Sequence, residues 1–295
     1  MHQGFSAFPL TPVTDDGVDE EAFAGIVDRL VTAGVDSLGV LGSTGSYAYL
    51  DRDERARVIE VAVAHSGDVP VVVGVGAPGT RQVLRHVEDA TRWGADAVLL
   101  PPVTYQPITD DEVYGLYADV TAASELPVVV YDNPGTTHVT FGDELHARIA
   151  ALPGIASIKI PPVDPDLAAA RLRVERLRAL LPDDVSVGIS GDAVGAVGLL
   201  AGCDTWYSSL GGTIPGPLLA ITRAAQRDDA EGALAASAAL DPLWRAVGHH
   251  GSYRTAAVIA EHLGLAEAPC LPRPLRPLPE ADREAIIAAL PTDLV

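Results

Sequence analysis

Short apolar runs alternate with longer amphipathic stretches along the first three-quarters of the chain, and this alternation constrains the fold more than any other feature. The runs cover residues 5–10, 37–41, 69–75, 97–100, 127–132, 156–160, 185–190 and 205–208. Each is brief, bounded by Gly, Pro or Asp, and apolar on both faces, as a strand buried on both sides of a parallel sheet must be. Between them, residues 20–33, 51–65, 81–93, 110–124, 142–151 and 164–181 carry apolar side chains at helical spacing. In the first stretch Phe23, Ile26, Val27 and Leu30 form one stripe, and Asp51 and Thr80 are placed to cap the second and third.

Eight strand-then-helix units predict an α/β fold closed into a (β/α)8 TIM barrel. An open doubly wound sheet is the alternative. No Gly-x-Gly-x-x-Gly follows the first strand and the units are evenly spaced, which favours the barrel. Beyond residue 225 only helical patterns remain, at 230–247, 253–263 and 281–290, with a proline-rich connector at 269–279. Residues 1–225 are therefore assigned to the barrel and 226–295 to a C-terminal helical extension packed on it.

Composition narrows the partners. The 295 residues, 48% of them hydrophobic, suffice for one large core. No run approaches the roughly 20 apolar residues of a membrane span. The start of the chain lacks a basic segment followed by an apolar one, so a cytoplasmic location is expected. Two cysteines, Cys203 and Cys270, make neither a disulfide framework nor a thiolate cage. A net charge of −20 argues against nucleic acid and anionic membrane as partners, and an anionic substrate would need positive potential supplied locally.

That charge balance contains one anomaly. The basic residues number 20, and 19 of them are arginine; Lys159 is the only lysine. Arginine cannot be deprotonated and cannot form an imine, so only Lys159 can do amine chemistry. Period-two alternation sets Ala156, Ile158 and Ile160 on one strand face and Ser157 and Lys159 on the other, which points the lysine into the barrel. Burial lowers an amine's pKa and prepares it as a nucleophile. A lysine paired with a buried carboxylate, or snorkelling to water, fits the same position equally well.

Barrel enzymes carry their sites at the C-terminal strand ends. There the fifth run ends in Tyr131-Asp132-Asn133-Pro134, with Tyr131 inside if Val128 and Val130 face the helices. Its phenol could move protons or simply be a hydrogen-bonded core group. Gly42-Ser43-Thr44-Gly45 offers amides and hydroxyls that suit a carboxylate, although such turns are common. Ser190-Gly191-Asp192 ends the seventh run with small residues that leave room for a ligand or a tight turn. The eight histidines show no metal-ligand spacing, His249 and His250 read as a solvated loop, and neither a nucleophile elbow nor a P-loop is present.

In this order and spacing, the turn at 42–45, Tyr131-Asp132-Asn133-Pro134, Ile158-Lys159 and Ser190-Gly191-Asp192 resemble the dihydrodipicolinate synthase / N-acetylneuraminate lyase family. The start Phe8-Pro9-Leu10-Thr11-Pro12 and the proline-rich tail at 271–278 look similar too, so the resemblance spans nearly the whole chain. It implies a class I aldolase-type lyase with no metal, pyridoxal phosphate or other cofactor, only a covalent imine on Lys159. Tyr131 would relay protons with Thr44, while Ser43, Thr44 and their amides hold the carboxylate. Thr136, Gly191 and Asp192 would border the substrate. A homotetramer, a dimer of dimers with sites near one interface, is implied as well.

Four positions depart from the family pattern. Ser46 stands where Glu is usual, Thr136 where dihydrodipicolinate synthases carry a substrate-binding Arg, and Val103 and Thr104 where they carry paired tyrosines. Tyr105, displaced by one place, or Thr104 is the expected substitute in the proton relay. A hydroxyl cannot replace a bidentate arginine clamp, so lysine biosynthesis is disfavoured. The expected reaction makes or breaks a C–C bond in pyruvate or a related 2-oxo acid, with an aldehyde as second reactant. Dehydration of such an acid, metabolite binding without turnover, and metal-dependent lysis are the alternatives.

Overall fold

The computed structural model describes residues 3–292 and Leu294; Met1, His2, Asp293 and Val295 lie outside the described residues. Eight parallel strands form the barrel: β1 (Gly4–Ala7), β2 (Ser37–Val40), β3 (Val71–Gly74), β4 (Ala97–Leu100), β5 (Val128–Tyr131), β6 (Ile155–Ile160), β7 (Ser186–Ser190) and β8 (Thr205–Ser208). Each pairs with the next in chain order, and β8 pairs back onto β1 to close the ring. The helices after successive strands are α1 (Glu20–Ala33), α2 (Arg52–His65), α3 (Thr80–Arg92), α4 (Asp110–Ala123), α5 (Asp143–Ala150), α6 (Leu167–Arg178), α7 (Gly195–Leu200) and α8 (Pro215–Gln226). Four more follow: α9 (Ala230–Ala239), α10 (Asp241–His250), α11 (Ser252–His262) and α12 (Glu280–Ala288). The (β/α)8 barrel with C-terminal helices is thus the fold.

Alternation along the strands separates two cores. Leu38, Val40, Val71, Val73, Val128, Val130, Ile158 and Ile160 pack outward against the helices. Val72, Leu99, Val129, Tyr131 and Tyr207 face inward and meet Phe8 at the barrel mouth. Burying each such aliphatic side chain contributes about 1.5–3 kcal/mol, which is why a run apolar on both faces commits to this double-sided environment. The inner rings need space. A Cβ on Gly39 would lie 2.3 Å from the Phe8 ring and one on Gly188 2.2 Å from the Tyr207 ring, so each aromatic occupies room that a glycine leaves.

Several local expectations shift. Asp51 caps α2 through a reciprocal pair with Glu54 (2.9 and 2.8 Å). Thr80 does not cap α3; Gly79, in extended conformation, takes that place and Thr80 is already helical. The first run stops pairing as a strand at Ala7, because Pro9 has no N–H for the ladder. The segment expected as one helix over 230–247 is two, broken at Leu240. Pro242 sits in the first turn of α10, where its missing N–H costs nothing, whereas inside a continuous helix it would remove a bond and clash. His249 and His250 close α10 and are not in a loop.

Candidate active site

Lys159 projects from β6 into the barrel and is 5% exposed. Its register depends on one irregularity. Between Val128 and Val129 the β5–β6 pairing shifts by one residue, so Val128 faces Ile155 but Val129 faces Ser157. Tyr131 consequently lies opposite Lys159; an unshifted ladder would set it opposite Ile158, which points to the helices. Around the lysine Nζ stand the rings of Phe8, Tyr131 and Tyr207, with centroids at 4.1, 4.8 and 5.6 Å. These faces offset part of the cost of burying an ammonium.

Among the described residues no carboxylate forms an ion pair with Lys159, which removes the pairing a structural lysine relies on. Burial drives its pKa below the ordinary lysine range, and nearby Tyr131 and Asp192 pull it back only in part. The Tyr131 Oη lies 2.9 Å from the Ser43 hydroxyl and accepts a hydrogen bond from Asn133 Nδ2 at 2.9 Å. Burial raises the phenol's pKa, but the Lys159 charge and the bonds from Ser43 and Asn133 outweigh it, and the net shift is downward. Because that shift depends on an ammonium at Lys159, the two groups titrate as a pair.

The turn after β2 owes its position to a close backbone approach. Leu41 adopts a left-handed conformation (φ 54°), and a Cβ at position 74 would lie 1.8 Å from its carbonyl oxygen, so Gly74 is required. Left-handed backbone at a non-glycine residue costs about 1–2 kcal/mol, and here it folds Gly42–Gly45 over the barrel mouth. Thr11 Oγ1 donates to the Gly45 carbonyl at 2.9 Å and locks the turn. Ser46, which follows, is buried and hydrogen-bonds the Tyr253 hydroxyl from α11.

A cavity of about 370 Å³ opens at this end of the barrel. It brings together Ser43, Thr44, Tyr131, Thr136, Lys159, Gly191 and Asp192 from the sequence expectations. Asp192 is buried; burial pushes its carboxyl up, against bonds from the Leu210 and Ser209 backbones and the Ser208 hydroxyl and the charge at Lys159. Leu210 N–H donates to its Oδ2 at 2.8 Å. Two placements differ from expectation. The hydroxyl in contact with Tyr131 belongs to Ser43, not Thr44, because the turn points successive side chains different ways. Tyr105 is 91% exposed on the loop after β4 and does not line the cavity; the Thr104 hydroxyl donates to the Gln106 carbonyl.

Sequence reading had assigned no role to Asn133, and it missed Phe8, Tyr207, Ser209, Val247, Ser252 and Tyr253, all of which line the cavity. Asn133 had a signal, since it stands beside Tyr131 at a strand end. The α10–α11 residues had none, because nothing local says where the extension docks. No group of three His, Cys, Asp or Glu side chains converges among the described residues. Among the described residues no helix is long and apolar enough to cross a membrane.

Residues 1–292 match the dihydrodipicolinate synthetase family. The chain belongs to that family. It is 34% identical over 294 residues to the 4-hydroxy-tetrahydrodipicolinate synthase of Hyphomonas neptunium, covering 98% of this chain and 97% of that protein. A crystal structure described as dihydrodipicolinate synthase from Agrobacterium tumefaciens is 44% identical, with a TM-score of 0.94 over 98% of this chain and 97% of that one. The dihydrodipicolinate synthase of Acinetobacter baumannii, solved in complex with pyruvate, is 26% identical with a TM-score of 0.87 over 98% of both chains. The family consists of class I aldolases that work through a Schiff base, and this chain is an aldolase-type lyase.

Proposed function

We propose that the chain is a Schiff-base lyase that makes or breaks a C–C bond in pyruvate or a related 2-oxo acid, with Lys159 as nucleophile. The observation that carries this reading is the state of Lys159: the one lysine, buried, without an ion-paired carboxylate among the described residues, and opposite Tyr131. The amine attacks the ketone carbon, and Tyr131 delivers a proton to the carbonyl oxygen and later helps it leave as water. Ser43, 2.9 Å from the phenol, extends this relay, and Asn133 holds the phenol in line. Thr44 and the amides of the 42–45 turn hold the substrate carboxylate, a task suited to backbone N–H groups converging at a strand end.

The resulting iminium draws in the electron pair of the neighbouring bond. In cleavage, the bond between the third and fourth carbons breaks, its electrons form an enamine, and the hydroxyl proton on the fourth carbon passes to a base as the aldehyde departs. In condensation, the third carbon of the iminium first gives a proton to a base, and the resulting enamine carbon attacks the aldehyde carbon while the aldehyde oxygen takes up a proton. After cleavage the enamine carbon takes up a proton and restores the imine; in either direction water then hydrolyses the imine and regenerates Lys159. Pyruvate is bound by the Acinetobacter relative, which supports this choice of acid. The family resemblance also supports a homotetramer, and the barrel and its extension are taken to fold as one body.

The test uses the single lysine. Incubation with pyruvate and borohydride should add one reduced pyruvate per chain, mapped to Lys159, and Lys159→Arg should add none. No adduct with pyruvate or several longer 2-oxo acids would sink the mechanism. Turnover by Lys159→Arg would do the same.

A further inference from the structure

The open end of β5 carries a buried couple that the imine steps do not use. Alternation turns Tyr131 into the barrel and sets Asp132, one residue on, against the helix layer. There its Oδ2 lies 3.1 Å from Nε2 of His146, which projects from α5. Both side chains are buried, and among the described residues no arginine or lysine pairs with the carboxyl. The two groups meet off the straight line of a hydrogen bond, so charge and packing together orient them. The imidazole is itself held in place. Its ring stacks on Phe141, with centroids 5.3 Å apart and planes inclined by 17°, and Phe141 meets Tyr117 of α4 edge-on at 6.3 Å. Tyr117 Oη in turn donates to the Leu100 carbonyl at the end of β4, at 2.6 Å.

Stability is a weak reason for such a couple. Burying two polar groups costs desolvation that their attraction returns only in part, and an apolar pair of similar volume often serves as well or better. What the couple adds is direction. β5 ends at Tyr131, and Pro134 has no N–H with which to extend the ladder. The last rung is the Asp132 N–H, which donates to the Lys159 carbonyl at 3.0 Å. Tyr131 and Asn133 flank that rung, so a rotation of the backbone there would carry the phenol away from Asn133 and Ser43, each now 2.9 Å from it. We propose that His146 is a positioning residue: through Asp132 it fixes the end of β5 and keeps the Tyr131 phenol aligned for proton transfer at the imine. This rests on the imine mechanism proposed above and adds to it a couple outside the cavity.

The experiment measures the rate of borohydride trapping against pyruvate concentration, with the urea midpoint of the same samples, for wild type, His146→Leu and the apolar pair Asp132→Val/His146→Leu. The single change leaves a buried carboxyl alone and should lower the midpoint, whereas the apolar pair should keep it near wild type. Both should slow trapping at saturating pyruvate by about 10- to 100-fold, the effect of a small misplacement of a reacting group. The pyruvate concentration for half-maximal rate should change by less than about threefold, since the couple does not touch the 42–45 turn. In a Tyr131→Phe background the apolar pair should slow trapping by no more than about twofold, because the group it positions is already gone. A merely structural couple would move the midpoint and leave the saturated rate of folded protein alone. Wild-type trapping by the folded apolar pair, an undiminished loss in the Tyr131→Phe background, or failure of both variants to fold would overturn the inference while the imine stands. If wild type itself is not trapped by pyruvate, the imine reading fails and takes this one with it.

Discussion

Lys159 is expensive to bury as an ammonium, and the sign of that cost can be followed. Its folded pKa is depressed, whereas the unfolded chain has an ordinary lysine. Between those two values the unfolded state holds a proton that the folded state has released. Stability therefore rises with pH across that window, and the burial penalty is present in full only below it. Lys159→Met should abolish the rise, seen as a wild-type minus variant difference in denaturant midpoint that closes from neutral to alkaline pH. The pyruvate adduct should form with a pH midpoint below that of free lysine; a midpoint in the ordinary lysine range would show the amine to be solvated. For the relay, Tyr131→Phe should slow imine formation by about 10²- to 10⁴-fold, the usual weight of general acid–base help. Ser43→Ala should act on the same step, and Thr44→Val should act chiefly on KM for the acid. If Thr44→Val slows the step and Ser43→Ala does not, the relay runs through the other hydroxyl.

At the level of elements, glycines in the strands decide where the aromatic side chains go. Tyr207 fills the barrel because Gly188 has no side chain, and its hydroxyl reaches Ser157 at 2.8 Å. Gly188→Ala would press a methyl group onto the ring, at a cost of about 1–3 kcal/mol for overpacking. The same ring lines the cavity, so the borohydride trap should slow along with the loss in stability. Unfolding in urea and trapping on one sample measure both; a loss below about 0.5 kcal/mol would mean the ring moves freely. The break between α9 and α10 matters for function too. It turns the chain so that Val247, Ser252 and Tyr253 reach the barrel mouth, where Tyr253 meets Ser46.

For the molecule as a whole, the net charge of −20 opposes association, and the proposed tetramer must overcome it. Sedimentation should give four times the 30.7 kDa chain mass, with the tetramer favoured as salt shortens the screening length to about 8 Å at physiological strength. A single-chain mass with full turnover would remove both the tetramer and any need for Tyr105 from a neighbouring copy. Strand and helix order was legible because both periods, two and 3.6, are written locally along the chain, and eight units of them admit little besides a closed barrel. The same alternation placed Lys159 and Tyr131 on inward faces, since a strand's side chains must alternate. It could not place them opposite each other. That took the one-residue shift between Val128 and Val129, a property of the paired strands that neither strand carries alone. Nor could it show that Ser43 rather than Thr44 meets the phenol, that Tyr105 stands outside the cavity, or that α11 supplies a wall of it. Those facts are distances between residues far apart in the chain. Only barrel closure and the docking of the C-terminal helices bring such residues within reach.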